Sequence, residues 1–236
     1  KVQAILPKMK ENVGFIMMAT KNGLIKKTPS EEFDSIRKTG KIAIALKDDD
    51  ELIAVHYTNG EDTVMVASNE GKCIRFSEQD VKPLGRDTMG VKAIDLASKD
   101  YLVDMLVYKV GYDILTITEN GYGKRSDVSE YKVQNRNGKG IKAGIFNEKT
   151  GKLVGLKQVT EDEDVMMISN NGVIIRTPAV NISKITRDTI GVKVMRLAYG
   201  ATVSCVAIAD TVAEDITGET EEEAIVINEP LETTEE

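Results

Sequence analysis

The sequence predicts an all-β, propeller-like protein, and three observations predict it. First, four segments share an apolar run, a Ser or Thr and, three residues later, a Gly; these glycines lie 48, 50 and 51 residues apart, at Gly23, Gly71, Gly121 and Gly172. Second, Asn precedes three of the four glycines, and Asn-Gly favours the type I′ turn of a β-hairpin. Third, the apolar runs are rich in Val, Ile and Met, which is typical of strands.

Each repeat contains further elements in a fixed order. A basic residue follows the turn glycine by four positions. A second glycine comes later, at Gly40, Gly90, Gly140 and Gly191, with a slightly shorter interval in the first repeat than in the others. The second glycine opens another strand-like run, and a third apolar run follows that one. Because four strands in ~50 residues is the size of a propeller blade, we expect four blades.

The repeat also predicts the limits of the domains. Residues 1–10 match the third apolar run, and residues 1–12 are expected to end a preceding blade. The four blades are expected at residues 13–61, 62–111, 112–163 and 164–209. Residues 210–236 have the composition of an acidic, mostly disordered tail. The first residue is Lys rather than Met, so we expect a piece of a longer protein.

Composition excludes several classes of function. One His and two Cys are too few for a zinc site or for a disulfide framework beyond one bridge. No apolar run approaches the ~18 residues that a membrane-spanning helix needs. With no Trp, four Phe and seven Tyr, stacking on single-stranded bases is not expected to be the main mode of binding. A reducing, cytosolic setting fits this composition.

The net charge of −7 is divided unevenly along the chain. Between Asp210 and Glu236 there are 11 acidic residues and no Lys or Arg. The preceding 209 residues hold 27 acidic and 31 basic residues, a balance of +4. The sequence therefore joins a mildly basic body to an acidic tail. Two interpretations of the tail stay open: a solvated terminus, or an acidic segment that competes with a polyanion for the basic body. In the second case, deleting it should strengthen polyanion binding.

Basic residues recur at equivalent positions of the repeats. Equivalent positions of stacked or fanned repeats lie on one continuous face, so we expect a curved basic band. The expected members of this band are Lys26, Lys27, Arg37, Lys38, Lys41, Arg75, Arg86, Lys92, Lys124, Arg125, Arg136, Lys139, Lys142, Arg176, Arg187 and Lys193. The alternative is that these residues pair with acidic groups of neighbouring blades.

A curved basic band is typical of a surface that binds duplex DNA. No helix that could read bases is evident, so we expect phosphate contacts and DNA bending to supply the affinity, with weak sequence specificity. About eight neutralised phosphates would give a slope near −7 in a log–log plot of affinity against salt concentration.

The repeats resemble the C-terminal DNA-wrapping domain of bacterial DNA gyrase A, part of a type IIA topoisomerase. The resemblance covers most of positions 1–200 and rests on the segments ATKNGLIKKT, NGEDTVMVASNEGKCIRFSEQDVKPLGRDTMGVKAI, ENGYGKRSDVSEYKVQNRNGKGIKAGIF and SNNGVIIRTPAVNISKITRDTIGVKVMRL. It implies a β-pinwheel, a six-bladed disc whose blades exchange strands, of which about four full repeats are present here. It also implies that DNA wraps around the basic rim and so supports negative supercoiling.

One departure from that family concerns its defining motif, Q-[RK]-R-G-G-[RK]-G, which belongs to the first blade of the family. The segment in this chain that matches it best is a degenerate copy, which keeps Gln134, Arg136, Gly138, Lys139 and Gly140 and departs at the two Asn residues between them. Its glycines would let the backbone approach phosphates, while Arg136 and Lys139 would supply charge. Without the full motif, we expect DNA binding with poor wrapping.

The resemblance implies further properties that the residues alone do not. The expected partners are duplex DNA, the rest of gyrase A, and gyrase B in an A2B2 holoenzyme, without a membrane. The part represented by this chain is expected to be non-catalytic and free of cofactors; ATP and Mg²⁺ would act elsewhere in an ATP-hydrolysing topoisomerase. The expected location is the bacterial cytoplasm, in association with the nucleoid.

Three alternatives stay open at the level of sequence. The first is the equivalent domain of the topoisomerase IV protein that corresponds to gyrase A, which would be more degenerate and lack the motif. The second is a propeller that binds proteins through its basic band, which predicts weak DNA binding that does not depend on DNA length. The third is an enzyme with a site at the propeller axis, although no cluster of His, Asp and Glu recurs near one strand end.

Overall fold

The computed structural model describes residues 4–7, 14–35 and 38–210, and in these ranges the fold is all-β. Fifteen strands form four antiparallel sheets with the orders β3-β1-β2-β6, β7-β4-β5-β10, β11-β8-β9-β14 and β15-β12-β13. The strands are β1 Phe15–Thr20, β2 Leu24–Pro29, β3 Leu52–Thr58, β4 Thr63–Ser68, β5 Lys72–Ser77, β6 Val91–Lys92, β7 Leu102–Val107, β8 Asp113–Thr118, β9 Tyr122–Ser126, β10 Ile141–Lys142, β11 Leu153–Val159, β12 Glu163–Ser169, β13 Ile174–Pro178, β14 Val192–Lys193 and β15 Val203–Asp210. The predicted all-β blade architecture is confirmed.

The hairpin turns explain the repeated Ser/Thr and Gly. Each turn glycine has a positive φ, between +74° and +87°, and its N–H donates to the carbonyl of the Ser or Thr three residues earlier. The hydroxyl of that Ser or Thr then accepts from the N–H of the residue after the glycine, as Thr20 does from Leu24 at 3.2 Å. The side chain therefore closes the turn from inside, which explains why a hydroxyl recurs at this position.

Neighbouring repeats exchange strands. The two-residue strands β6, β10 and β14 each pair with the sheet of the preceding repeat, so residues 91–92 complete the sheet of β1, β2 and β3. The second glycine permits this approach: a Cβ on Gly90 would lie 2.4 Å from the Ile25 carbonyl oxygen, and one on Gly140 would lie 2.4 Å from that of Cys73. A blade is therefore not one continuous segment, and the predicted domain limits stay a prediction.

The strand exchange corrects one expectation about the first repeat. The run GKIAIAL at residues 40–46 was expected to form a strand, yet no strand is present there. Its equivalents form strands only where they pair with the preceding repeat. Among the described residues no strand precedes β1, so this run lacks such a partner. The fourth sheet has three strands in the described part of the chain for the converse reason, because no following repeat donates a fourth.

The strands β3, β7, β11 and β15 contact one another in chain order and form the centre of the molecule. His56 on β3 contacts the Met105 carbonyl at 2.9 Å, and Gln158 on β11 donates to the Val107 carbonyl at 2.8 Å. Burial lowers the pKa of His56. The core clusters lie between successive sheets and hold residues such as Phe76, Tyr131 and Met167. The two-residue strands occupy the opposite edge of each sheet, which is therefore the outer rim.

Candidate nucleic-acid interface

Three of the four basic residues that follow a turn glycine by four positions tie one repeat to the next, which corrects the expectation that they belong to an exposed band. Lys27 and Arg125 are 4% and 3% exposed. Lys27 Nζ donates to the Glu78 carbonyl at 2.9 Å, and Arg125 Nε donates to that of Ile182 at 2.9 Å. Arg75 donates to two carbonyls of the next repeat in the same way. Lys27 also pairs with an acidic group of the next repeat, Glu78, as the alternative predicts, whereas carbonyls hold Arg75.

The ties also bring ionic and aromatic partners together. Arg125 lies 3.1 Å from the carboxylates of Asp113 and Glu161. Lys27 Nζ lies 3.5 Å from the Glu78 carboxylate and 4.8 Å from the centre of the Phe15 ring. Buried charges need such partners because their desolvation is costly. The recurrence of a cation at this position therefore reflects the packing of one blade on the next.

Arg176 occupies the fourth of these positions and is more exposed than the other three. Its guanidinium donates to the Asp164 carboxylate at 2.6 Å and to the Asp210 carbonyl at 2.8 Å. Both partners belong to the same sheet, because the described chain has no following repeat to which Arg176 could be tied.

Lys26 and Lys124 were also expected on the basic band, but they are 0% and 2% exposed. Each ammonium donates to several backbone carbonyls of the loop that precedes the second glycine of the next repeat; Lys26, for example, donates to Thr88 at 3.1 Å. Desolvation lowers the pKa of Lys26, and it lowers that of Lys124 to about 8. These two lysines cannot contact DNA directly.

The loop arginines Arg86, Arg136 and Arg187 are half-buried and share one bonding pattern. Each guanidinium donates to the carbonyl two residues after the second glycine of the preceding repeat; these carbonyls belong to Ile42, Lys92 and Lys142. Their main visible role is therefore to hold the loop against the donated strand. The charge remains close to the rim.

The lysines two residues after the second glycine have the geometry expected of a binding surface. Lys92, Lys142 and Lys193 are exposed and lie on β6, β10 and β14, the outermost strands of three consecutive sheets. Lys193 Nζ donates to the Asn120 carbonyl at 3.0 Å and lies 4.3 Å from the centre of the Tyr122 ring. The strand exchange that the second glycine permits is what carries these lysines to the rim.

The degenerate motif, residues 134–140, forms the end of the loop that precedes β10. The Gln134 N–H donates to the Arg75 carbonyl at 2.8 Å, and the Gly138 carbonyl accepts from Asp95 at 3.0 Å. Lys139 is exposed, whereas Gly140 has φ +65° at the close approach already described. Gly140 therefore serves strand exchange, and Lys139 is the member of the motif that solvent reaches most freely.

The remaining predicted residues belong to the first repeat. Lys38 is exposed, and Lys41 is half-buried with its ammonium 2.8 Å from the Glu32 carbonyl. Arg37 lies outside the described residues.

Two exposed lysines were missed from the sequence. Lys82 and Lys132 each lie four residues before a loop arginine and follow the short 3₁₀ turns Glu78–Asp80 and Val128–Glu130. Aligning the repeats on Arg86 and Arg136 would have found them. The fourth repeat has Ser183 at this position, so the pattern of a lysine four residues before the loop arginine is limited to the second and third repeats.

The described part of the chain shows no grouping of three or more His, Cys, Asp and Glu suited to a metal ion. In the same ranges, no helix is long and apolar enough to span a membrane. The features present at the rim are exposed ammonium groups on a regular array of strands. Such a surface can bind an extended polyanion.

An all-β array of strand-exchanging blades with a lysine-bearing rim defines the class of the protein. Within this class, the family described as DNA gyrase C-terminal domain, beta-propeller matches residues 14–59, 62–109, 112–160 and 163–207. The chain belongs to this family, which confirms the resemblance drawn from its repeats.

Curated relatives point in the same direction. The chain is 41% identical over 217 residues to the DNA gyrase A protein of Staphylococcus aureus (strain NCTC 8325 / PS 47), a match that covers 91% of the chain and 24% of the relative. It is 44% identical over 195 residues to the DNA gyrase A protein of Staphylococcus epidermidis, a match that covers 82% of the chain and 22% of the relative. The chain thus spans about a quarter of the length of these relatives.

Solved structures share the fold. The C-terminal domain of DNA topoisomerase IV superposes with a TM-score of 0.80 at 22% identity, covering 87% of this chain and 64% of that one. The DNA gyrase A C-terminal domain superposes with a TM-score of 0.77 at 27% identity, covering 85% and 68%. Because its identity is so low, the likeness to topoisomerase IV concerns the fold alone.

Proposed function

We propose that this chain is a non-catalytic module that binds duplex DNA along its outer rim and bends it. One observation carries the proposal: an exposed lysine recurs on the outermost strand of three consecutive sheets, as Lys92, Lys142 and Lys193. Cations that recur on the outer strands of consecutive sheets match a polyanion that follows this edge. Membership of the gyrase C-terminal domain family supports the same conclusion.

The relatives support a proposal about the longer protein. DNA gyrase A relatives contain this region as about a quarter of their length. We infer that the parent protein is a component of a type IIA topoisomerase and acts with gyrase B, as A2B2, in the bacterial cytoplasm near the nucleoid. Bending of DNA on the rim would present a duplex segment to the catalytic parts and support ATP-dependent negative supercoiling, with ATP and Mg²⁺ bound elsewhere.

The exposed lysines set the expected strength of the electrostatic contribution. Seven exposed lysines can face phosphates: Lys38, Lys82, Lys92, Lys132, Lys139, Lys142 and Lys193. One phosphate contact each gives a log–log salt slope of about −6. The value is slightly smaller than the sequence predicts, because the buried ties do not contribute.

Replacing the rim lysines tests this function. The triple variant K92A/K142A/K193A should lower affinity for a mixed-sequence duplex and reduce the salt slope by about 3, since each lost phosphate contact removes about 0.9. Fluorescence anisotropy at several salt concentrations measures both quantities. Lys109→Ala is the matched control, because Lys109 is exposed on the loop after the central strand β7. A triple variant that binds like the unaltered chain would overturn the proposal.

A further inference from the structure

Two of the described inter-repeat loops rest on a buried lysine. Lys26 lies beneath residues 86–89, and its ammonium donates to the carbonyls of Arg86 and Thr88. Lys124 lies in the same way beneath residues 187–190 and donates to the carbonyls of Arg187 and Thr189. The two lysines hold equivalent positions in the first and third repeats. In both loops the ammonium therefore binds the carbonyls of two alternate residues. Lys124 also donates to the Thr186 carbonyl at 3.2 Å, and Lys26 donates to that of Ala43 at 2.9 Å.

The intervening loop has the opposite arrangement. Ile74 takes the position of the buried lysine there, and a Cβ on Gly138 would lie 3.4 Å from its Cδ1 atom. The Asn137 N–H turns inward and donates to the Ala93 carbonyl at 2.8 Å. The equivalent N–H groups of Asp87 and Asp188 have no acceptor among the described residues. Of these three loops, the two that have a buried lysine beneath them are therefore also the two in which this N–H has no acceptor within the described ranges.

Peptide geometry fixes where these amides point. In a trans peptide the N–H of one residue is antiparallel to the carbonyl of the residue before it. Because the carbonyls of Arg187 and Thr189 face Lys124, the N–H groups of Asp188 and Ile190 point away from it. The Ile190 N–H also has no acceptor among the described residues, and both residues are exposed.

The same geometry holds at the first loop. The carbonyls of Arg86 and Thr88 face Lys26, so the N–H groups of Asp87 and Met89 point away from the ammonium. Asp87 is exposed, and Met89 is 47% exposed. The loop ends immediately before the exposed rim strand β6.

On this basis we propose that the amide pairs of Asp87 with Met89 and of Asp188 with Ile190 form two backbone sites for phosphate oxygens of duplex DNA, and that the buried Lys26 and Lys124 order them. Successive N–H groups directed to one side bind anions. The proposal rests on the proposed DNA-binding function and adds residues that no cationic pattern reveals. It makes Lys26 and Lys124 positioning residues.

Two carboxylates lie beside the proposed phosphate sites, and removing one of them tests whether the site binds an anion. Asp87 and Asp188 carry negative charge beside the amides that would receive phosphate. Asp188→Asn should therefore raise affinity for duplex DNA about threefold, because it removes a like charge without altering the backbone. A decrease would contradict the proposal.

The main experiment follows individual amides by ¹H–¹⁵N NMR during titration with a short duplex. The N–H signals of Asp188 and Ile190 should shift to low field, while that of Asn137 should not. Lys124→Ile, which places the residue of the second repeat in the third, should abolish these shifts and lower affinity about tenfold. Lys109→Ile is the matched control, at an exposed lysine outside the proposed DNA contacts.

A pH titration of the unaltered chain avoids the possibility that the variant fails to fold. The charged groups around Lys124 are Glu130, Asp188, Arg187 and, when ionised, Cys73, whose pKa burial raises to about 12. Between pH 7 and 9.5 Lys124 loses its charge, because desolvation lowers its pKa to about 8. Part of the affinity for duplex DNA should be lost over this range. Fluorescence anisotropy measures it, because exposed amide protons exchange with water too fast for NMR at the upper pH.

The outcomes separate the two proposals. If the duplex shifts the rim lysines but leaves Asp188 and Ile190 unchanged, the backbone sites are refuted and the binding function stands. If no signal moves and no binding is measured, the proposed function itself fails. Shifts that persist in a folded Lys124→Ile protein would refute the positioning role.

Discussion

At the scale of the residue, burial divides one basic pattern into separate roles. The recurrence of Lys and Arg was predicted from the sequence, but which of them reach solvent was not. Arg125 and Lys142 each occupy a position that is basic in several repeats. Arg125 nevertheless ties two blades together, whereas Lys142 lies exposed on the rim. Repeat spacing specifies equivalence of position and says nothing about side-chain exposure. That difference arises only when one repeat packs on the next.

The tie formed by Arg125 should be a determinant of stability. Arg125→Met removes the guanidinium from the Ile182 carbonyl and leaves the Asp113 carboxylate with fewer partners. Loss of one partner of a buried pair should lower the free energy of unfolding by about 3 kcal/mol. Urea unfolding measures the loss, and the salt slope of DNA binding in the folded variant should stay unchanged. A lower slope would place Arg125 among the DNA contacts.

At the scale of the element, the hairpins could be predicted and the strand exchange could not be derived from local pattern. The repeated Ser/Thr and Gly predict the turns, because both the hydroxyl and the positive φ act locally. The partner of β10 is β5, which belongs to the preceding repeat, and no local propensity encodes a pairing at that distance along the chain. The resemblance to a strand-exchanging family implied the exchange, and the close approach of Gly140 to Cys73 explains it physically.

Gly140→Ala tests the strand exchange. A Cβ would lie 2.4 Å from the Cys73 carbonyl oxygen at a residue with φ +65°, so the variant should lose about 3 kcal/mol of unfolding free energy. Gly111→Ala is the matched control, because it has φ +90° with nothing within 4 Å and should lose only about 1 kcal/mol. Equal losses would show that backbone strain alone, and not the approach of two repeats, requires glycine.

At the scale of the whole molecule, the position of the basic residues matters more than their net charge. The body carries a balance of only +4, yet its exposed lysines recur along the outer edges of consecutive sheets. The net charge of −7 reflects the acidic segment that follows β15. Composition predicted that division of charge, and the rim on which the lysines lie became visible only with the order of the strands.

The acidic segment gives a prediction at this scale. Removal of residues 211–236 should strengthen duplex binding at low salt, because their negative charges compete with phosphates for the rim. The truncation should begin after Asp210, whose carbonyl accepts from Arg176 at 2.8 Å. Anisotropy titrations of both chains in low and high salt measure the effect, which should shrink as salt screens the charges. Unchanged affinity at low salt would show that the segment does not compete.

The central claim, that duplex DNA follows the rim, is tested most directly by affinity as a function of duplex length. Mixed-sequence duplexes of increasing length should bind with rising affinity until the outer edges of all four sheets are occupied, and then reach a plateau. Gel-shift titrations at two salt concentrations measure the series, and K92A/K142A/K193A should flatten it. Affinity that is the same for every length, in both proteins, would contradict binding along the rim.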